Sequence, residues 1–177
     1  MIRCSVRDNI FLLRQVLALL EALDDARYRE PVAACFGASM GGHLRHVVEH
    51  YDGFFQGLQS GDIDYETRPR DLAVETSRST AIQRLHATVS SLEQLETQDQ
   101  DRPLRVRAEC ATTGPAVWAA ASLLRELEWL LNHTVHHFAL MAINCRLLGY
   151  APPVDFGMAP STLRHRQRQA AAAACAR

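Results

Sequence analysis

The sequence contains no lysine, because all nineteen of its cationic side chains are arginines. Schiff-base chemistry, a phosphate-binding loop with its lysine, and a lysine general base are therefore excluded. An excess of positive charge is also missing: nineteen cationic against twenty anionic side chains give a net charge of -1, which argues against a general nucleic-acid binder. No run of about 18 apolar residues occurs, so we expect no membrane span.

Cysteine is sparse and shows no pairing pattern. There are five cysteines, an odd number, and none belongs to a CxxC pair. A chain of 177 residues is long enough to bury a core without disulfides, so we expect free thiols. Charged residues interrupt the first apolar stretch, which predicts that there is no signal peptide and that the protein is cytoplasmic.

Four long segments carry apolar residues at three- and four-residue spacing, which predicts amphipathic helices. They cover residues 6–23, a segment that Ser39 caps and that stops at Ser60, residues 71–96, and residues 122–149. Four such helices predict an all-α four-helix bundle. We expect residues 1–163 to form the bundle domain and residues 164–177 to form an Arg/Ala-rich tail.

The segments between the third and fourth helices have a different pattern. Leu104, Val106 and Ala108 alternate with polar residues, which predicts a strand. A turn at 113–115 and an Ala-rich segment at 116–120 suggest a small β-hairpin before the last helix, although the second segment could equally begin a helix.

Two further segments are expected to be loops. The charged segment 62–71 contains Pro69 and predicts a surface loop. Residues 156–161 follow the last bundle helix, and we expect them to return over the mouth of the bundle.

Histidine is the compositional excess, with eight in the chain and six of them in two short clusters. His43, His46 and His50 share one face of the second predicted helix. His133 and His137 lie one turn apart on the fourth, where an i, i+4 pair can chelate one metal ion, whereas the neighbouring His136 points away. A third imidazole from the facing helix would complete a three-histidine site with an open position, which is typical of catalytic zinc. The alternative is that these imidazoles are satisfied by hydrogen bonds or by solvent.

Two other metal-site patterns fit less well. The sequence from His46 to His50 matches the H-x-x-E-H metalloprotease motif, but the match is short and no substrate-binding sheet is predicted around it. Ferritin-like di-iron sites need Glu-x-x-His on two helices, and that spacing does not occur here.

The segments SMGGHLRHVVEHYDGFF, LLRELEWLLNHTVHHFALM and FGMAPSTLR resemble the DinB-like superfamily of YfiT-type four-helix bundles, which is distinct from the DNA polymerase of that name. The resemblance runs from the first helix to about Arg164. It implies a metal site formed by His46, His133 and His137, with His43 or His50 as alternatives or additions to His46. Zinc or nickel is the implied metal, with iron as an alternative. Homodimers are also implied.

Some members of this superfamily are thiol S-transferases. The resemblance therefore implies a metal-dependent enzyme that acts on a small molecule, either a thiol S-transferase with a low-molecular-weight thiol as co-substrate or a hydrolase. No catalytic residue can be named from the sequence. The alternatives are a non-catalytic metal- or ligand-binding dimeric bundle, and a structural dimer whose histidines are incidental. We expect no nucleic-acid or membrane partner.

Several residues near the histidines have simpler interpretations. We expect Glu49 to face solvent, although a carboxylate there could orient a ligand histidine. Cys145 is expected to be a buried structural thiol. Trp129 is expected in the core or a dimer interface, and Arg125 and Glu126 in a surface or interhelical ion pair.

Overall fold

The computed structural model describes residues 1–108 and 115–175. In chain order its helices are α1 (Ile2–Ala22), α2 (Asp25–Arg29), α3 (Met40–Ser60), α4 (Leu72–Thr76), α5 (Arg78–Leu95), α6 (Leu123–Leu147) and α7 (Pro160–Cys175), with a 3₁₀ turn at Ala33–Cys35. The strands are β1 (Asp62–Ile63), β2 (Pro103–Arg107) and β3 (Trp118–Ser122).

The long helices form a four-helix bundle, which confirms the predicted all-α fold. Helices α1 and α3 each pack against both α5 and α6. The apolar faces that predicted the helices point into one continuous core, where Leu13, Phe54 and Phe138 are fully buried. The core therefore lies between the helices that carry the two histidine clusters.

Side-chain caps set several of the helix ends. The Ser39 hydroxyl accepts a hydrogen bond from Gly42 N at 3.0 Å, so α3 begins at the predicted cap. The single helix expected over 71–96 is wrong in one respect, because Ser77 is extended and divides it into α4 and α5. The Ser77 hydroxyl caps α5 by accepting from Thr80 N, which stabilises the second start.

A three-stranded sheet follows the order β1-β2-β3. Strands β2 and β3 are antiparallel, with Pro103 opposite Ser122 and Arg107 opposite Trp118, so the predicted hairpin is confirmed. Its predicted turn at 113–115 lies mostly outside the described residues. Strand β1 pairs in parallel with β2, so the expectation of a loop over 62–71 is wrong for its first two residues. The Arg105 guanidinium supports this pairing by donating to Asp62.

A buried polar network joins three of the bundle helices. The Asn9 side-chain amide donates to Leu127 O at 3.1 Å, and its oxygen accepts from the Tyr51 hydroxyl at 2.7 Å. Tyr51 also lies 3.1 Å from the Thr134 hydroxyl. These groups satisfy one another inside the core, so they fix the relative positions of α1, α3 and α6.

The segment after α6 folds back onto that helix, and the loop expected over 156–161 ends two residues early because α7 begins at Pro160. The buried ring of Phe156 stacks on Phe138, with ring centroids 5.1 Å apart. Helix α7 follows and is largely exposed. Helix α7 includes residue 163, the predicted boundary between the bundle domain and the C-terminal tail. That boundary stays a prediction. None of the helices in the described part of the chain is long and apolar enough to cross a membrane.

Candidate metal centre

Five histidines meet where α3 faces α6. The ring of His46 is central, with ring centroids 4.3 Å from His50, 5.0 Å from His133 and 4.6 Å from His137. His43 lies at the edge, 5.4 Å from His137. Helical spacing brings the three histidines of α3 to one side and the i, i+4 pair of α6 to the other.

The distances between ring nitrogens suit a shared metal ion. His46 Nε2 and His133 Nε2 are 3.2 Å apart, and so are His43 Nδ1 and His137 Nδ1. Two nitrogens bound to one tetrahedral zinc would lie about 3.3 Å apart, given Zn–N bonds of about 2.05 Å. Ligand atoms of His46, His50 and His133 all lie within 4.8 Å of one another. This three-histidine group could therefore hold a metal ion.

The structure brings together the three histidines expected as ligands, since the rings of His133 and His137 are also only 4.6 Å apart. It also places His50 in the cluster. Ligand nitrogens of His46, His50 and His133 lie within 4.8 Å of one another, and this group does not include His137. His136 is exposed, as its position on the helix predicts. The choice of His137 as a ligand stays a prediction.

Hydrogen bonding limits which ring nitrogens could bind a metal. His50 Nδ1 donates to His46 O at 2.6 Å, which leaves Nε2 of His50 as the nitrogen with a lone pair. Among the described residues, the buried His133 Nδ1 and His43 Nε2 have no hydrogen-bond partner. Each is the far nitrogen of its ring, because His133 faces His46 through Nε2 and His43 faces His137 through Nδ1.

Burial keeps these imidazoles neutral. Burial first, and neighbouring positive charge second, lower the pKa of His46 to about 3 and the pKa values of His50 and His137 to about 4. The pKa of His133 is lowered for the same reason. Neutral imidazole is the form that binds metals, so the four rings are ready to act as ligands at pH 7.

An arginine already occupies part of the cluster. Arg68, from the segment between β1 and α4, places Nη1 2.7 Å from His46 Nδ1 and 3.1 Å from His50 Nε2. A guanidinium only donates hydrogen bonds, so both imidazole nitrogens accept. Its positive charge is one of the causes that lower the pKa of His46.

A cavity of about 340 Å³ opens beside the histidines. Glu126 is its one buried carboxyl group among the described lining residues, and its Oε2 accepts from the Tyr65 hydroxyl at 3.0 Å. Burial raises the pKa of Glu126. Trp129 forms part of the wall and stacks on His133 with the two planes only 10° apart.

Several sequence expectations need correction here. Glu49 is buried rather than solvent-facing, and its Oε1 accepts from Asp71 N at 2.7 Å, which anchors the start of α4. Glu126 bonds to Tyr65, and it forms no ion pair with Arg125 among the described contacts. Trp129 packs against the core, as expected, and also lines the cavity. The expectation for Cys145 is confirmed, since it is fully buried.

Sequence reasoning missed Arg68 and Tyr65. Both lie in the charged segment after β1, and no local periodicity marks them as part of a site. Pairing of β1 with β2 is what carries this segment across the bundle end to the histidines. Only the pairing of β1 with β2 would have indicated that these residues reach the site, and a single sequence does not reveal such a pairing.

A helical bundle with histidines from two facing helices beside a cavity defines a candidate metal-binding class of protein. The family model described as "DinB family" matches residues 6–166, and the chain belongs to that family. FK506-binding protein 5 of Rhizopus delemar is 32% identical over 108 residues, covering 60% of this chain and 28% of that protein. The chain thus spans little more than a quarter of that relative's length. No solved structure matches.

Proposed function

We propose that this protein is a metal-dependent enzyme that transfers a low-molecular-weight thiol to a small electrophilic molecule. One observation carries the proposal: imidazole nitrogens of His46 and His133 face each other at 3.2 Å beside a cavity of about 340 Å³. Cavities of this size accept small molecules. The proposed ligands are His46, His133 and His137, and zinc or nickel is the proposed metal.

The third ligand is chosen on physical grounds. His137 follows His133 by one helical turn, so both rings can reach the same ion without a change in backbone. Nε2 of His50, its one accepting nitrogen, is engaged by Arg68 at 3.1 Å, whereas Arg68 contacts His46 through Nδ1 and leaves Nε2 of His46 facing His133. We therefore assign His50 the role of holding His46 and Arg68 in place.

A divalent ion at this site would supply Lewis-acid activation of a thiol, or of water in a hydrolytic variant. The residues of the chain do the remaining work. Glu126 receives the thiol proton, since burial raises its pKa and makes the carboxylate a better base. Tyr65 holds that carboxylate by its hydrogen bond. The thiol sulfur forms a bond to the electrophilic carbon, and the leaving group departs with its electron pair.

We also propose that the protein is a homodimer. Ile143 and Leu147 support this, because they are exposed apolar side chains one turn apart on α6. Light scattering of the purified protein tests this: a mass of twice 19.8 kDa is expected, and a mass of 19.8 kDa would contradict it.

The activity is tested with zinc- or nickel-loaded protein, an activated aryl halide and a panel of cellular thiols including glutathione. Mass spectrometry should detect the thioether product with wild type and His86→Ala, and not with His133→Ala. His86 is an exposed histidine on α5 and serves as the matched control. Metal-loaded protein that conjugates no thiol would contradict the transferase and favour a non-catalytic metal-binding bundle. Release of acid from an ester panel would instead favour the hydrolase.

A further inference from the structure

Arginines are concentrated along the cavity wall. Arg68, Arg107 and Arg125 line it, together with two carboxyl groups, Glu66 and Glu126. Arg107 forms ion pairs with Asp64 at 2.9 Å and with Glu66 at 3.0 Å. Three guanidinium groups thus line the cavity, and Glu66, one of the two lining carboxyl groups, is paired with Arg107.

The start of α6 supplies positive potential beside Arg125. Arg125 is exposed in the first turn of that helix, where the free backbone N–H groups give a partial positive charge. Its backbone N–H donates to the capping hydroxyl of Ser122 at 3.3 Å, which fixes the chain direction here. Arg68 comes from the segment between β1 and α4, where it contacts His46 and His50. The two guanidinium groups thus come to the cavity from different elements.

Flat aromatic surfaces form another part of the wall. The Trp129 ring stacks on Tyr65, with centroids 4.5 Å apart and planes 24° apart, and on His133 at 4.9 Å. Tyr65 is buried, whereas Trp129 is half-buried and faces the cavity. Aromatic faces favour planar apolar groups over bulky or strongly hydrated ones.

We propose that the cavity binds a small organic carboxylate with a planar apolar body. Arg68 and Arg125 pair with the carboxylate, and the planar body lies against Trp129. Guanidinium suits this role because it can donate two parallel hydrogen bonds to one carboxylate. This inference rests on the proposed function, since it assigns the chemical class of the molecule that the metal site would act on.

Trp129 provides the readout. The chain has two tryptophans, and replacing the exposed Trp118 by Phe leaves Trp129 as the only one. Benzoate is the probe, and benzamide is the matched control because it has nearly the same shape without the negative charge. Both are titrated into the Trp118→Phe protein, metal-free and zinc-loaded, while Trp129 emission is recorded.

Benzoate should change the emission saturably and bind at least tenfold more tightly than benzamide. Arg125→Gln and Arg68→Gln, each in that background, should weaken benzoate binding at least fivefold, while Arg14→Gln should leave it unchanged. Arg14 is an exposed arginine whose partner is Glu93, away from the cavity. Since Arg125 is exposed, its variant should fold normally, and circular dichroism checks this for all three variants.

Equal binding of benzoate and benzamide, or no saturation with either, would overturn the proposal. So would unchanged benzoate binding in Arg125→Gln and Arg68→Gln. A different result is expected if the proposed metal site is wrong and the carboxylate site is right. The protein would then retain no zinc, and benzoate would still bind the metal-free protein. If zinc is bound and benzoate is not, the metal site stands and the carboxylate site is wrong.

Discussion

His46 on α3 and His133 on α6 face each other through their Nε2 atoms, 3.2 Å apart. In the neutral pair one ring must donate and the other accept. His133 Nδ1, on the far side of its ring, has no hydrogen-bond partner among the described residues. Burial lowers the pKa of both rings, so protonation does not relieve the arrangement at pH 7. A metal ion bound by both Nε2 atoms would take the place of the one shared proton, and each neutral ring would then carry its proton on Nδ1.

The two candidate sets of ligands differ in their third histidine, which leads to a direct comparison. We expect His137→Ala to weaken zinc binding at least tenfold, because it removes the second ring of the chelating pair on α6. His50→Ala should have a smaller effect. The affinities are measured by competition with a chromogenic chelator. A greater loss in His50→Ala would show that the ligands are His46, His50 and His133, whose nitrogens lie closest together.

Arg68 should oppose metal binding. When a metal binds His46 Nε2, the neutral ring carries its proton on Nδ1, which then cannot accept from the Arg68 guanidinium. Arg68→Gln removes the positive charge and offers an oxygen that accepts from Nδ1. We expect zinc to bind about tenfold more tightly, since nearby like charges cost on the order of 1 kcal/mol even in a watery setting. Weaker binding in Arg68→Gln, with Arg14→Gln unchanged, would show that Arg68 supports the site.

Glu126 should make the stability depend on pH. Its pKa is raised in the folded protein, so its contribution to stability is fully present below its unfolded pKa and is lost as pH rises through the folded value. Glu126→Gln keeps an acceptor for Tyr65 and removes the buried charge. We expect the variant to be more stable than wild type by about 1 kcal/mol at pH 7.5, and the gain to vanish near pH 4.5.

Urea unfolding at the two pH values measures this difference. Glu93→Gln is the control, because Glu93 is half exposed and forms a surface ion pair with Arg14. A Glu126→Gln protein less stable than wild type at pH 7.5 would mean that the nearby charge of Arg125 outweighs the effect of burial.

Gly157 should be essential for the segment that folds back onto α6. Its φ is +76°, and an added Cβ would lie 2.7 Å from Ala139 N and 2.8 Å from Phe138 O. Gly149 has a similar φ of +73° but open space around it. Its replacement by alanine therefore measures the cost of the positive φ alone, without a steric clash. We expect Gly149→Ala to cost about 1 kcal/mol and Gly157→Ala at least twice that, by thermal unfolding. Equal costs would show that the segment moves away from α6 easily.

The sequence predicted the parts of the fold that depend on local pattern. The periodic apolar residues and the Ser39 cap are local features, and they located the bundle helices correctly. The break at Ser77 was missed because residues 75–80 are a short polar run that a continuous helix could carry on an exposed face, and only the side-chain cap on Thr80 N reveals a new start. The family assignment was also correct, since its motifs are contiguous in the chain.

The candidate site was only half accessible from the sequence. Helical spacing alone brings His133 and His137 to one face, and it does the same for the histidines of α3. The contact of Arg68 with His46 depends on the pairing of β1 with β2, and the pairing of Tyr65 with Glu126 joins residues 61 positions apart. Such contacts depend on tertiary packing and leave no periodic trace in the sequence.

The most direct test of the metal site is the metal content of untagged protein, measured by inductively coupled plasma mass spectrometry for wild type, His133→Ala and His86→Ala. His133 belongs to both candidate sets of ligands, and His86 is an exposed histidine outside the cluster. We expect about one equivalent of a divalent metal in wild type and His86→Ala, and almost none in His133→Ala. Wild-type protein that is metal-free and takes up neither added zinc nor nickel, or His133→Ala that retains a full equivalent, would contradict the account.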